Sequence, residues 1–296
     1  MASAELQKVI AARRANAYTP DSTIEQLRAE TEARGGAPLI DGATHQPASA
    51  NGVPGEWVDA ANAAKDRVFL FLHGGGYYRG SAASSRTTSA RISAACGARV
   101  YAIDYRLAPE HAFPAAVDDA LTAYRWLLDQ GIDAGKIAVG GISAGGGLTL
   151  ALLLRLKETG LPQPAAAFPM SAWTDLTQSG ETFVTRADVD PAISKPYLDR
   201  MAGLYLAGAD PKTPQASPLF GDLTGLPPIL VHVGTAETLL DDSRLFAERA
   251  RAAGVDITYE AWEDMIHGWH AFGDVLPEAR EAILGIGEFY RGQVPA

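Results

Sequence analysis

The feature that most constrains the fold is a regular alternation of short apolar runs with amphipathic helical stretches, starting near residue 65. The apolar runs lie at 68–72, 99–103, 137–139, 165–170, 229–233 and 257–262. The helical candidates lie at 85–96, 114–130, 146–158, 242–253 and 278–290. Apolar runs bounded by turn residues are typical of strands that are buried on both faces. The sequence therefore predicts an α/β fold with a mostly parallel sheet and helices on both faces.

Composition narrows the class of protein. The 296 residues suit one large α/β domain with a small appendage, and the net charge of −10 argues against a nucleic-acid or anionic-membrane partner. The single cysteine permits no internal disulfide, and no apolar stretch approaches the ~18 residues of a membrane span. Residues 1–10 lack the pattern of a signal peptide. We therefore expect a soluble cytoplasmic protein.

Two segments depart from the alternation and predict a helical cap. Residues 1–34 are polar with helical spacing, and a proline-containing segment at 180–208 includes a helical stretch at 195–206. We interpret both as lying over the carboxyl ends of the strands. The predicted division is a cap built from 1–45 and 180–208, and an α/β core built from 46–179 and 209–296.

The pattern Gly-Ile-Ser-Ala-Gly at 141–145 lies between a predicted strand and a predicted helix. A serine on such a sharp turn needs neighbours without side chains, and the following helix supplies N–H dipoles where negative charge develops. The pattern is weak by itself, because an N-capping serine at a glycine-rich helix start would look the same. Its position favours Ser143 as a nucleophile.

A second glycine-rich loop, His-Gly-Gly-Gly-Tyr at 73–77, follows the first apolar run directly. Three successive glycines allow backbone N–H groups to point into a cavity, as in an oxyanion hole. The alternative is a phosphate-binding loop, but the sequence contains neither GxGxxG nor GK[ST]. Two such loops after two strands, one of which carries a serine, favour acyl-transfer chemistry.

A nucleophilic serine needs a general base, and His267 is the best-placed histidine. It lies in the loop between the last predicted strand and the last predicted helix. His270 is the nearest rival, three residues further on. His232 lies within an apolar run and is predicted to be a core residue, and His45 and His111 lie in connections away from the strand ends.

The base needs an orienting carboxylate, for which Glu237 is favoured. Glu237 comes just after an apolar run and before the histidine in the chain, the order expected of this arrangement. Asp241 and Asp242 remain alternatives, although they lie at a predicted helix start, and Asp175 follows an earlier strand. Cys96 lies among small residues with no histidine beside it and is predicted to be a buried thiol.

Together these motifs resemble the hormone-sensitive-lipase-like (bacterial family IV) esterases of the α/β-hydrolase superfamily over roughly residues 65–290. The matching blocks are HGGGYYRGS at 73–81, DYRLAPEHAFPAAVDD at 104–119, GISAGGG at 141–147, VGTAETLLDDS at 233–243 and the pair at 267–268. The resemblance implies an eight-stranded hydrolase core with an N-terminal cap. It also implies hydrolysis of short- to medium-chain acyl esters of small molecules without cofactor or metal, and a homodimer.

The resemblance also assigns roles by position. The catalytic positions fall on Ser143, Glu237 and His267. The oxyanion-hole positions fall on Gly74, Gly75, Gly76 and Ala144, with Gly74 shaping the loop. Two residues depart from the usual pattern: Ile142 stands where the family usually has aspartate, and Glu237 stands where many relatives have aspartate. For the acyl or alcohol pocket the candidates are Tyr77, Tyr78, Phe183, Val184, Tyr197 and Leu204.

Three other functions are weighed beside the esterase. An amide, formamide or deacetylase-type acyl hydrolase would use the same triad. A ligand-binding receptor could keep the fold and lose catalysis, although the intact Ser143 and His267 argue against it. A dehydrogenase-like nucleotide binder is disfavoured, because its phosphate-binding fingerprint is absent.

Overall fold

A single eight-stranded sheet forms the centre of the part of the protein that the computed structural model describes, residues 2–15 and 22–294. Residues 16–21 of the predicted cap, and residues 1, 295 and 296, lie outside it. The strands are β1 (Thr44–Ala50), β2 (Val53–Asp59), β3 (Ala64–Leu72), β4 (Ala98–Ile103), β5 (Ile137–Ile142), β6 (Ala166–Met170), β7 (Ile229–Gly234) and β8 (Ile257–Trp262). Their order across the sheet is β1-β2-β4-β3-β5-β6-β7-β8.

Six of these strands coincide with the six apolar runs, and β4, β3, β5, β6, β7 and β8 pair in parallel in that order. The other two, β1 and β2, join the β4 side of the sheet in antiparallel pairs. The apolar pattern misses β1 because it is an edge strand and most of its residues are exposed. It misses β2 because the buried positions of that strand include Gly55 and Glu56. The α/β-hydrolase fold with eight strands, predicted from the resemblance, is confirmed.

Helices connect the strands and cover the sheet. Within the described residues the α-helices are α1 (Ala4–Ala15), α2 (Ile24–Glu32), α3 (Arg86–Cys96), α4 (Ala115–Asp129), α5 (Ala144–Thr159), α6 (Thr182–Thr185), α7 (Lys195–Leu206), α8 (Leu240–Ala252) and α9 (Pro277–Gln293). None of these helices has the length and apolar character needed to cross a membrane. Five predicted helices are confirmed to within two or three residues at each end, and the stretch 195–206 matches α7.

The two faces of the sheet carry separate apolar layers. In β3, Val68, Leu70 and Leu72 contact the layer formed with α4 and α5, whereas Phe69 and Phe71 contact the layer formed with α3 and α9. Helix α8 packs on β6 and β7 beside α5. Alternate side chains of a strand point to opposite faces, so α4, α5 and α8 cover one face and α3 and α9 cover the other. The carboxyl ends of the parallel strands remain at one edge of the sandwich.

Candidate active site

Ser143 occupies a sharp turn between β5 and α5. Its backbone angles are φ 60° and ψ −120°, a strained region for a residue with a side chain. The glycines on either side are required by close backbone contacts. A Cβ on Gly141 would lie 2.3 Å from the carbonyl oxygen of Leu72, and one on Gly145 would lie 2.0 Å from the same atom. The Gly-x-Ser-x-Gly pattern thus allows β3 and the start of α5 to pack directly against each other.

Backbone hydrogen bonds hold the strained serine in place. The Ser143 N–H donates to the Met170 carbonyl at 2.9 Å, at the end of β6. The Ser143 carbonyl accepts from the N–H of Gly147 at 3.0 Å and from that of Trp173 at 3.1 Å. The turn is therefore fixed from three directions, and the serine side chain is presented at the carboxyl edge of the sheet.

His267 and Glu237 meet through tertiary structure, although 30 residues separate them in the chain. The Nδ1 atom of His267 lies 2.8 Å from Oε2 of Glu237. Glu237 is fully buried, and its Oε1 accepts hydrogen bonds from Gly234 N–H at 2.6 Å and from the Ser171 hydroxyl at 3.0 Å. With Nδ1 engaged by the carboxylate, Nε2 is the imidazole nitrogen that can receive a proton from another group.

Ser171 is a site residue that the sequence analysis missed. Its hydroxyl donates to Glu237 and accepts from the Gly268 N–H at 3.1 Å, so it joins the loop that carries the acid to the loop that carries the histidine. Its φ of 46° places it in the left-handed region directly after β6. Its only sequence signal is that it is the first polar residue after an apolar run at the carboxyl edge.

The rival carboxylates have other partners. Asp241 accepts from the N–H of Thr182 at 3.1 Å, in the segment predicted as the second part of the cap. Asp242 accepts from the backbone N–H of Asp175 at 3.0 Å, and burial raises the pKa of Asp242 well above its ordinary value. The Asp175 carboxylate accepts from the Thr177 N–H at 2.8 Å. These three aspartates bind backbone groups, and among the carboxylates considered, Glu237 is the one in contact with His267.

His270, the alternative candidate for the general base, is a buried core residue. His270 is fully buried, and its Nε2 lies 3.2 Å from Nδ1 of His232. Its ring packs against Trp269 with centroids 3.8 Å apart. Burial lowers the pKa of His270 well below its ordinary value, with a further contribution from His232. His270 is therefore a neutral core residue at pH 7, and His232 is buried as predicted.

Neither a reactive thiol nor a metal centre is found in the described parts of the chain. Cys96 is buried at the end of α3, and burial raises the pKa of its thiol. Residues 2–15 and 22–294 contain no group of three or more His, Cys, Asp or Glu side chains placed to hold a metal ion.

Ser143 and His267 line the same cavity, of about 130 Å³, at the carboxyl edge of the sheet. The loop after β3 contributes Gly74, Gly75 and Gly76, and β5 contributes Ile142 just before the serine. The predicted cap segments contribute a further set of lining residues. These are Arg13, Thr31, Arg34, Ala192, Ile193, Tyr197 and Leu198.

The structure differs from the predicted substrate pocket. Of the six candidates, Tyr197 is the one that lines this cavity. Val184 is 78% exposed on the surface, whereas Phe183, Tyr78 and Leu204 pack into the core layer beside α4 and α5. Tyr77 is buried and stacks on another tyrosine at 3.8 Å between ring centroids. Apolar character alone did not distinguish residues that face the cavity from those that pack beneath it.

The loop after β3 has a backbone conformation that requires glycine. Gly75 and Gly76 have φ values of 121° and 62°, and a Cβ on Gly75 would lie 2.2 Å from the Arg79 carbonyl oxygen. A Cβ on Gly74 would lie 2.8 Å from a carbonyl oxygen of β5. The backbone N–H groups of Gly75, Gly76 and Ala144 donate to no residue in the described ranges, 2–15 and 22–294.

The histidine that begins this loop makes stability depend on pH. His73 is buried and stacks on Tyr105 at 4.1 Å, and burial lowers its pKa from 6.5 to about 4. Between these two pH values the unfolded chain binds a proton that the folded chain excludes, so the free energy of unfolding falls as the pH falls. The contribution is up to about 1.4 kcal/mol per pH unit.

We therefore expect His73→Gln to flatten the dependence of the unfolding free energy on pH between 6.5 and 4. Urea denaturation at a series of pH values measures this slope. The control for removal of a histidine is His111→Gln, at an exposed position. An unchanged slope in His73→Gln would contradict the assignment.

Comparison with known proteins agrees with this geometry. A family model described as an alpha/beta hydrolase fold matches residues 69–271. An acetyl-hydrolase of Streptomyces hygroscopicus is 48% identical over 236 residues, covering 80% of this chain and 79% of its own. An esterase of Acinetobacter venetianus is 37% identical over 245 residues, covering 82% and 80%. The crystal structure of an esterase from the bacterial hormone-sensitive lipase family superimposes with a TM-score of 0.97 at 49% identity, covering 100% of both chains.

These similarities extend over almost the whole chain, well beyond the two glycine-rich loops. They confirm the family and the enzyme class, a carboxylic-ester hydrolase, that the sequence motifs indicated. The chain belongs to the α/β-hydrolase family and, within it, to the bacterial hormone-sensitive-lipase-like esterases.

Proposed function

We propose that the protein is a carboxylesterase that hydrolyses short- to medium-chain acyl esters through Ser143, His267 and Glu237, with an acyl-enzyme intermediate. The observation that carries the proposal is the 2.8 Å contact between His267 and Glu237 beside the cavity that His267 shares with Ser143. A buried carboxylate on Nδ1 orients the imidazole and stabilises its protonated form.

In the proposed first half-reaction, the Ser143 oxygen attacks the ester carbonyl carbon while Nε2 of His267 takes the hydroxyl proton. The imidazolium then gives this proton to the leaving alcohol, and the acyl group remains on the serine. In the second half-reaction, His267 takes a proton from water as the water oxygen attacks the acyl carbon. The imidazolium then gives this proton to the Ser143 oxygen, which leaves as the hydroxyl and releases the carboxylic acid. Glu237 keeps its charge throughout and neutralises the imidazolium that forms twice.

The negative oxygen of each tetrahedral intermediate needs donors, and the free backbone N–H groups of Gly75, Gly76 and Ala144 are proposed for this role. The first two lie in the loop whose positive φ angles turn successive amides, and the third lies at the N-terminus of α5. Removal of one such donor costs about 3–4 kcal/mol of transition-state stabilisation in serine hydrolases. Gly74 would support the loop, since a Cβ there would meet β5 at 2.8 Å.

We further propose that residues 1–45 and 180–208 act as the cap that limits acyl length. Ile193, Tyr197 and Leu198 come from the second of these segments and line the cavity above the serine. Apolar side chains at this position would bind a short acyl chain and exclude water from it. The small cavity volume of about 130 Å³ favours short acyl groups over long ones.

The proposal is tested with p-nitrophenyl esters from acetate to palmitate, compared with the matching p-nitroanilides. We expect kcat/KM to be highest for short and medium acyl chains and far lower for the anilides. Anilide rates equal to or above ester rates would instead favour the amide hydrolase. Mass spectrometry after reaction with a small fluorophosphonate should locate one covalent adduct on Ser143, and an adduct elsewhere would overturn the assignment of the nucleophile.

A further inference from the structure

Three arginines line the cavity that contains Ser143 and His267. Arg13 comes from α1, Arg34 from the turn after α2, and Arg79 from the loop after β3. We call Arg13, Arg34 and Arg79 the arginine wall. A cluster of three positive side chains is unexpected around a neutral ester in a protein whose net charge is −10.

The arginine wall forms no ion pair with any acid in residues 2–15 and 22–294, although eight other arginines do. The Nε atom of Arg13 is buried and has no hydrogen-bond partner within these ranges. The Arg13 guanidinium lies 4.9 Å from the centroid of the Phe272 ring, which satisfies one face of the group and none of its N–H donors. Buried donors are usually paired, and an oxyanion bound in the cavity would supply the acceptor that Arg13 lacks.

The three charges also repel one another. Burial and the proximity of Arg34 and Arg79 lower the pKa of Arg13 to about 10, and burial together with Arg79 lowers the pKa of Arg34. Asp190 raises the pKa of Arg13, but by less than burial or either arginine lowers it. Its carboxylate accepts from the N–H groups of Ile193 at 3.0 Å and Thr238 at 2.8 Å.

Neutral hydroxyl groups line the same cavity as the arginine wall. They belong to Ser84, Ser85 and Thr88, and the Ser84 hydroxyl donates to the Ser81 carbonyl. Arg13 and Arg34 also line an adjoining cavity of about 690 Å³ between α1 and α3, where Glu30 and Asp274 contribute negative charge. Among the described residues, the cavity that contains Ser143 has no Asp or Glu in its lining, so the positive charge of the arginine wall is least offset there.

We propose that the physiological substrate is an ester that carries an anionic group, a carboxylate or a phosphorus oxyacid, which the arginine wall binds. Guanidinium groups present planar sets of N–H donors that match such oxyanions, and partial burial strengthens the interaction. The inference rests on the proposed esterase function and adds the class of substrate. It assigns Arg13 and Arg34 to substrate binding and gives neither a part in the chemistry.

The test uses two pairs of esters that differ by one negative charge. Mono-p-nitrophenyl glutarate and p-nitrophenyl valerate place the charge on the acyl side, and 4-acetoxybenzoate and methyl 4-acetoxybenzoate place it on the alcohol side. The ratio of kcat/KM for the anionic and the neutral member is measured in the wild type, in Arg13→Gln and in Arg34→Gln. The matched control is Arg251→Gln, an exposed arginine on α8.

We expect the ratio to fall at least about tenfold in both cavity variants for one of the pairs, mainly through KM, which is the effect of losing a charge-assisted hydrogen bond. The control should keep the wild-type ratio. A smaller change in both pairs overturns the inference. Because Arg34 is partly exposed and lies in a short turn, its replacement is expected to leave the fold intact. Arg34→Gln therefore decides the question if Arg13→Gln does not fold.

Failure of the inference and failure of the esterase proposal give different results. If the wild type hydrolyses the neutral esters and the ratio does not respond to the variants, the esterase proposal stands and the anionic substrate is excluded. If no ester is hydrolysed, calorimetric titration with 4-acetoxybenzoate decides the inference alone. Binding that both variants weaken at least about tenfold supports it, and equal binding in all three proteins overturns it.

Discussion

Replacement of Ser143 by alanine should lower kcat/KM for p-nitrophenyl butyrate by at least about 10⁴-fold, because the acyl-enzyme can no longer form. The backbone should not change, since the strained turn is held by bonds to Met170, Gly147 and Trp173 that do not involve the side chain. Alanine retains the Cβ and adopts the same φ at similar cost. Initial rates, measured together with the melting temperature, separate loss of chemistry from loss of fold.

The control for this variant is Ser49→Ala, at an exposed position on the edge strand β1. It removes a hydroxyl far from the cavity and should retain wild-type rates. The assignment of the nucleophile would be wrong if a folded Ser143→Ala protein kept more than about a hundredth of the wild-type rate, since residual catalysis without the nucleophile is far smaller.

Replacement of Glu237 by glutamine should lower kcat by about 10³–10⁴-fold. Glutamine has the same size and can still accept from Gly234 N–H, but it carries no charge to stabilise the imidazolium. It can also donate to Nδ1 of His267, which favours the tautomer with the proton on Nε2 and removes the base. The effect should lie mainly in kcat, because Glu237 is buried behind the histidine and does not line the cavity.

The matched control is Asp241→Asn, which removes the charge from a rival carboxylate that binds the Thr182 N–H and Arg244. We expect its kcat to remain near the wild-type value and its melting temperature to fall slightly. The opposite outcome, a large loss of kcat in Asp241→Asn and a small one in Glu237→Gln, would transfer the role of orienting acid to Asp241.

The arrangement of the sheet was predictable where burial imposes a pattern. Of the six strands that pair in parallel, β3 to β7 are mostly buried and therefore largely apolar, so the alternation revealed them. The last, β8, lies at the other edge of the sheet and has no fully buried residue, but its apolar and aromatic residues still marked it. The strand β1 has the sequence Thr-His-Gln-Pro-Ala-Ser-Ala and is largely exposed at the edge, and no local pattern marks it. The number of strands came from the family resemblance alone.

The candidate site likewise has features that the sequence could predict and features that it could not. Ser143 and the glycine loop at 74–76 are local features, because their backbone conformations require glycines at fixed spacing. The pocket could not be predicted, since Tyr77 and Tyr197 are both aromatic and both buried, yet only the second lines the cavity. That difference depends on how the segment at 180–208 packs, which the composition of the segment does not encode.

The sequence by itself determined the parallel core, the sharp turn at Ser143 and the order of the proposed nucleophile, acid and base along the chain. These follow from short-range rules, namely the periodicity of buried strands and the glycines that a tight turn requires. Only the tertiary structure decided which carboxylate contacts His267, that Ser171 joins the two loops, and that Arg13, Arg34 and Arg79 share one wall. Such contacts join residues far apart in the chain, and their strength depends on distance and burial, which exist only after the sheet has brought its strand ends together.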